Sequence, residues 1–256
     1  MYQLLQYIKF KFISTNQHGV HSPFVYDLVT KCFYDKKQYE GYKRLKNYKA
    51  KLLKSEAKID VTDLGEGSKA FKTSTRIVQN IAKTSASLDK SMYLMYRLHN
   101  YFKPNNVLEL GTSLGVATHA MALGNPESSI TTIEGCPNTS KFTESSLSSE
   151  GVKNVIFLDG HFKNVIPTLS EDTFDIIFFD GHHNKEATLE YFEALLPKAH
   201  NNTLFIFDDI YWSKGMTEAW ETIKQHPEVT VTVDTFFWGL VFFRTEQAKE
   251  HFKIRL

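Results

Sequence analysis

From Asn106 onward the sequence alternates short, β-rich apolar runs with longer segments of helical period: NVLEL, SITTIE, NVIFLD, FDIIFFD and TLFIFDD each precede a helical stretch. A helix between two strands carries the chain back to the same end of the sheet, so this alternation predicts parallel pairing with helices on both faces. The unbroken apolar character of DIIFF and LFIF suits central strands buried on both sides. The last two runs, VTVTVDTFF and GLVFF, have no helix between them; they predict an antiparallel hairpin at the sheet edge, joined at Trp238-Gly239. The expected fold class is α/β, a doubly wound, mostly parallel seven-stranded sheet.

Residues 1 to about 102 read as helical and polar, with no convincing strand, and with breaks at NQHGVHSPF and near DLGEGSK. This predicts a helical N-terminal extension over 1–79 ahead of a domain over 80–256, the extension covering an acceptor or building a homodimer. The opening MYQLLQYIKFKF is interrupted by Gln3, Gln6, Lys9 and Lys11, too often for a transmembrane segment, and lacks a signal-cleavage pattern; it reads as a packing helix rather than a membrane-surface one. Between Lys36 and Lys58 stand nine Lys/Arg against Glu40 and Glu56, although the whole chain carries only +1. Basic residues interleaved with tyrosines can meet nucleic acid. Here Tyr42, Leu45, Tyr48 and Leu52 fall at helical spacing, so an amphipathic helix with a solvated lysine face is expected and no nucleic acid partner. The two cysteines, Cys32 and Cys136, form neither a C-x-x-C nor a zinc-ligand spacing, which fits a cytoplasmic location.

The stretch VLELGTSLGVATHAMA, Val107 to Ala122, admits three chemistries. Gly111-Thr112-Ser113-Leu114-Gly115 matches the G-x-S-x-G elbow of a serine hydrolase, with Ser113 as nucleophile; it is also a glycine turn after a strand, able to cradle a dinucleotide; and it is a possible nucleoside cofactor loop. A second stretch, Asp63 to Ser68, imitates it but leads through Lys69 and Lys72 into a helical segment, as a loop or lid would. The first copy leads through a helix into a strand that ends at Glu134, 23 residues past Gly111. A carboxylate at that distance can accept both hydroxyls of a ribose. The G-x-G-x-x-G spacing of dinucleotide sites is missing, and a hydrolase would place several strands upstream.

From about Asn80 to Arg244 the chain resembles the class I S-adenosylmethionine-dependent methyltransferases: Glu109, Gly111 and Gly115 match the E-x-G-x-x-x-G loop, and Glu134 the ribose acid. The resemblance implies S-adenosyl-L-methionine as cofactor, bound by Glu109, Gly111, Thr112, Ser113, Gly115, Glu134 and Asp180. Near the adenine, where the family often has Gly-Asp-Ala, this chain offers Gly160-His161-Phe162. Lys83 to Ser91 stand where the family often places a cofactor-covering segment.

Asp180, Asp208 and Asp209 end two apolar runs, at the carboxyl edge where open α/β sheets bind ligands. Three converging carboxylates repel unless a cation lies between them, and all-oxygen ligation suits Mg²⁺, Mn²⁺ or Ca²⁺. The pattern resembles the catechol-type O-methyltransferases, and its Asp180-Gly181-His182-His183 the D-G-x-H variant that includes sugar O-methyltransferases, with a histidine where catechol-type enzymes carry lysine. That resemblance implies O-methylation of a small-molecule hydroxyl, His183 accepting the proton. N-methylation stays open, as do a Ser113 hydrolase and a silent cofactor-binding module. As alternatives to the site, Asp180 can cap the next helix, His182 can be structural, and Lys185 is a second, weaker base. Tyr211, Trp212, Phe236, Phe237 and Trp238 either wall an acceptor pocket or belong to the core.

Overall fold

The computed structural model describes residues 1–62, 74–85 and 89–256; Asp63 to Ser68, Lys69, Lys72 and part of the Lys83–Ser91 segment lie outside them. In chain order the helices are α1 (Tyr2–Ile13), α2 (Pro23–Leu28), α3 (Glu40–Leu52), α4 (Val78–Ser85), α5 (Asp89–Phe102), α6 (Val116–Gly124), α7 (Pro137–Ser149), α8 (Phe162–Val165), α9 (Lys185–Leu195) and α10 (Lys214–Gln225). The strands are β1 (Lys58–Asp60), β2 (Thr75–Ile77), β3 (Asn106–Leu110), β4 (Ser129–Glu134), β5 (Val155–Asp159), β6 (Ile176–Phe179), β7 (Leu204–Asp208), β8 (Val231–Asp234), β9 (Trp238–Phe242) and β10 (Glu250–Lys253). The chain divides into two compact units, residues 35–169 and residues 1–34 with 170–256, so a boundary at residue 79 falls inside one of them.

In the unit of residues 35–169, β3 pairs parallel with β4 and β4 with β5, as strands joined by α6 and α7 must. Val107, Leu108 and Leu110 of β3 are buried. Gly124, at the end of α6, has no room for a side chain, because a Cβ would lie 2.5 Å from the carbonyl oxygen of Tyr96 in α5. Helix α3 buries Tyr42, Leu45, Tyr48 and Leu52, the stripe expected from the spacing. Two of its cations pair at the surface, Lys49 with Asp89 at 2.9 Å and Lys51 with Glu150 at 2.6 Å. The half expected to lack strands carries the antiparallel pair β1–β2, whose three-residue strands are too short to show a period.

In the other unit β6 and β7 pair parallel, β7 and β8 both pair antiparallel with β9, and β10 pairs parallel with β8. The hairpin is therefore present, but Trp238-Gly239 is not its turn. Thr235, Phe236 and Phe237 join β8 to β9, while Trp238 and Gly239 pair with Asp208 and Phe207. Gly239 is needed inside the strand because the Trp220 ring lies 2.6 Å from where a Cβ would stand. Strand β10 covers the outer edge of β8, giving one strand more than the seven read from the sequence in a mostly parallel α/β sheet. Helix α1 is fixed by buried Phe10, and the rings of Tyr7 and Phe10 lie 4.9 and 5.6 Å from that of Phe236. Among the described residues no helix is long and apolar enough to cross a membrane.

Candidate active site

The glycine turn opens at the end of β3 and requires left-handed backbone at three positions: Gly111 at φ 104°, Ser113 at 47° and Gly115 at 70°. Glycine is favoured at 115 on two counts, since a side chain there is strained at that φ and its Cβ would stand 2.5 Å from Cγ2 of Thr143. The turn is held from three sides. The Ser113 N–H donates to Glu134 Oε2 at 2.8 Å, Thr143 Oγ1 donates to the Ser113 carbonyl at 2.7 Å, and the Tyr48 hydroxyl donates to the Leu114 carbonyl at 2.8 Å. Tyr48 and Thr143 carry no motif signal, because each acts through backbone brought close only by the fold.

Glu134 ends β4 and is anchored by backbone, its other oxygen accepting from the Cys136 N–H at 2.9 Å. Burial pushes its carboxyl up, opposed by the N–H groups of Cys136, Ser113 and Gly135. Three donors leave acceptor capacity on a carboxylate with about four lone-pair sites, so the group fits a ribose hydroxyl. Glu109 is fully buried and is pushed up to about 8 by burial, with the hydroxyls of Thr118 and Thr132 pulling the other way. Both hydroxyls donate to Oε2 at 2.6 Å, while Oε1 is buried without a hydrogen-bond partner among the described residues. Thr132 gives its one proton to Glu109, so Thr112, 2.6 Å away, must donate to Thr132. Thr112 is thus buried support beneath the turn. Gly160, at φ 141°, donates its N–H to the Glu134 carbonyl, and His161 Nδ1 accepts from the Lys163 N–H at 3.2 Å, capping the short α8.

In the other unit Phe179 of β6 lies opposite Phe207 of β7, which sets Asp180 and Asp208 at adjacent strand ends. Ligand atoms of Asp180, His183 and Asp208 all lie within 4.8 Å of one another. His183 Nε2 is 3.8 Å from Asp180 Oδ1, and its ring centroid is 6.4 Å from that of Trp212. Asp209 is outside this group: at φ 51° its backbone has left the strand, and burial, followed by the neighbouring Asp208, pushes its carboxyl up to about 7. Asp180 does not cap α9; Asn184 does, accepting from the Ala187 N–H at 2.9 Å. His182 Nδ1 lies 3.1 Å from the Tyr191 hydroxyl. Lys185 is bound to Glu218 at 2.8 Å, and that hydrogen bond raises its pKa, which disfavours it as a base. Tyr211, Phe236 and Trp238 are buried, while Trp212 and Phe237 are exposed.

A family model described as a methyltransferase domain matches residues 108–210, from the strand before the glycine turn to the residue after Asp209. These residues form a methyltransferase domain. Similar solved structures include a methyltransferase from Podospora anserina bound to S-adenosylhomocysteine (14% identity, 88% of this chain and 97% of that one, TM-score 0.60). The O-methyltransferase TomG of Streptomyces achromogenes, in complex with S-adenosylmethionine, is 18% identical over 81% of this chain and 91% of its own, with a TM-score of 0.57. An O-methyltransferase from Bacillus cereus in complex with S-adenosylhomocysteine gives 16%, 82%, 93% and 0.53. At these identities the likeness establishes the fold. No curated protein sequence matches the chain. The methyltransferase-domain match does not favour the serine hydrolase reading of the Gly111–Gly115 turn.

Proposed function

We propose that this methyltransferase domain transfers the methyl group of S-adenosyl-L-methionine to a hydroxyl of a small molecule, assisted by a divalent cation. The observation that carries the reading is the convergence of Asp180, His183 and Asp208 within 4.8 Å at the carboxyl ends of β6 and β7. Two carboxylates and an imidazole fit a divalent ion, and replacing Asp209 by His183 favours Mn²⁺ over the harder, oxygen-seeking Mg²⁺ and Ca²⁺. The cofactor, when bound, supplies an activated sulfonium methyl, and the cation would lower the pKa of the acceptor hydroxyl.

The chain's own residues do the rest. Glu134 has acceptor capacity for the ribose, and the Gly111–Gly115 backbone lets a ligand approach without side chains in the way. Asp180 and Asp208 set a negative field at the acceptor position, and His183 in its neutral form can take a hydroxyl proton near neutral pH. Trp212 beside His183 offers one flat apolar wall for the acceptor. Both cysteines are free and buried, which agrees with a reducing, cytoplasmic compartment.

The test is production of S-adenosylhomocysteine from S-adenosylmethionine against phenolic and sugar hydroxyl acceptors, with Mn²⁺, with Mg²⁺ and with chelator. Turnover that requires a cation supports the reading; equal turnover in chelator removes the cation from it and leaves His183 as base.

A further inference from the structure

Helix α1 turns its more polar face inward. Phe10 is its buried residue, and Gln3 and Gln6 are partly covered, whereas Leu4, Leu5, Ile8 and Phe12 are 63%, 53%, 46% and 85% exposed. Leu4, Ile8 and Phe12 recur every four residues, and Leu5 stands beside them, so the four form one continuous stripe. Burial against the rest of the protein does not account for leucines outside and glutamines inside.

The charges around the stripe say what covers it. At helical spacing Lys11 borders one side and Lys9 the other, both exposed. Neither pairs with a carboxylate among the described residues; Lys11 Nζ lies over the Tyr7 ring at 5.5 Å. The first acid in the chain is Asp27. An apolar stripe between flanking lysines, with aromatics at its margin, is the layout of a helix lying in a lipid interface, where the stems follow the apolar surface and the ammonium groups reach headgroup phosphates. A second copy of the chain would suit the apolar part but not the cations. A two-fold contact brings the same patch from both subunits together, setting Lys9 and Lys11 against their counterparts with no acid in the patch to answer them.

We propose that α1 is an interfacial anchor, laying Leu4, Leu5, Ile8 and Phe12 into an anionic lipid surface with Lys9 and Lys11 at the headgroups. The proposal does not depend on the reaction assigned to the methyltransferase domain.

The experiment is co-sedimentation of the full chain with vesicles of phosphatidylcholine alone and of phosphatidylcholine mixed with phosphatidylserine, together with sedimentation velocity without lipid. Binding to the anionic vesicles, weakened by added salt, is expected. The double variant Lys9→Gln, Lys11→Gln weakens it roughly thirtyfold, at about 1 kcal/mol for each lysine at an anionic surface. Ile8→Ser with Phe12→Ser weakens it by about tenfold or more, with unfolding temperature unchanged, because both side chains are already exposed. Failure of the unmodified chain to bind anionic vesicles overturns the proposal, as does binding indifferent to both double variants. A lipid-free dimer broken by Ile8→Ser with Phe12→Ser also overturns it, by assigning the stripe to a second copy.

Discussion

His183 Nε2 stands 3.8 Å from Oδ1 of Asp180, while Lys185, two residues further on, is tied to Glu218 at 2.8 Å. The imidazole is thus placed among the carboxylates of the site, and the ammonium is held away from it by a partner that keeps it charged. Asp208→Asn and His183→Ala should each lower turnover by about a hundredfold or more, as expected for loss of a group that holds the cation or the proton. Lys185→Ala should stay within about threefold of the parent. Steady-state rates with and without Mn²⁺ check this, and a Lys185→Ala protein as impaired as His183→Ala moves the base to the lysine.

Glu134 is fastened by backbone N–H groups on both oxygens, so its position does not wait for a ligand. Glu134→Gln replaces one of those acceptors with an amide that confronts an N–H with another N–H. Affinity for S-adenosylhomocysteine should drop by about ten- to a hundredfold, the range for one hydrogen bond to a charged group. Calorimetric titration reads this directly, and an unchanged affinity detaches Glu134 from the cofactor.

Gly115 combines φ 70° with a Cβ position 2.5 Å from Cγ2 of Thr143. Gly115→Ala should cost about 1–3 kcal/mol from strained backbone and the clash together. Thr143→Ser removes that methyl and keeps the hydroxyl that donates to the Ser113 carbonyl. The double variant should therefore recover part of the loss in thermal unfolding, whereas a merely additive second loss means that φ alone sets the cost.

The sequence announced most of this fold because the alternation of strand and helix is periodic over many residues. What it hid is short or non-local. Strand β10, Glu250–Lys253, has only Phe252 buried within it, and it becomes a strand because the edge of β8 is available to it. The triad of acids at the strand ends was legible as a set, but strand alternation ends at Asp208. Asp209, at φ 51°, turns out of the cluster, and His183, three residues past Asp180 in the loop after β6, stands in it instead; neither outcome has a sequence signature. Asn184 as the cap of α9 was readable, standing directly before the helix, and it relieves Asp180 of that role.

A buried histidine four residues past Gly115 makes folding stability depend on pH. His119 of α6 is fully buried, both ring nitrogens lack a hydrogen-bond partner among the described residues, and its ring meets that of Tyr48 edge-on at 4.9 Å. Burial first, then the nearby charge of Arg44, lowers its pKa from 6.5 to about 4. A depressed folded-state pKa means that, between pH 6.5 and 4, the unfolded chain takes up a proton that the folded chain refuses. Stability present above that window is lost as the pH falls through it. His119→Phe keeps the ring contact and removes the titration, so the variant should gain over the parent by up to about 2 kcal/mol at pH 5 relative to pH 8. Glu109, pushed up to about 8, works in the opposite sense and loses its contribution as the pH rises, but it is the same in both proteins and cancels from the difference. Thermal unfolding of both proteins at the two pH values decides the matter: a gain equal at both shows that His119 is already charged in the folded state or never titrates in this range.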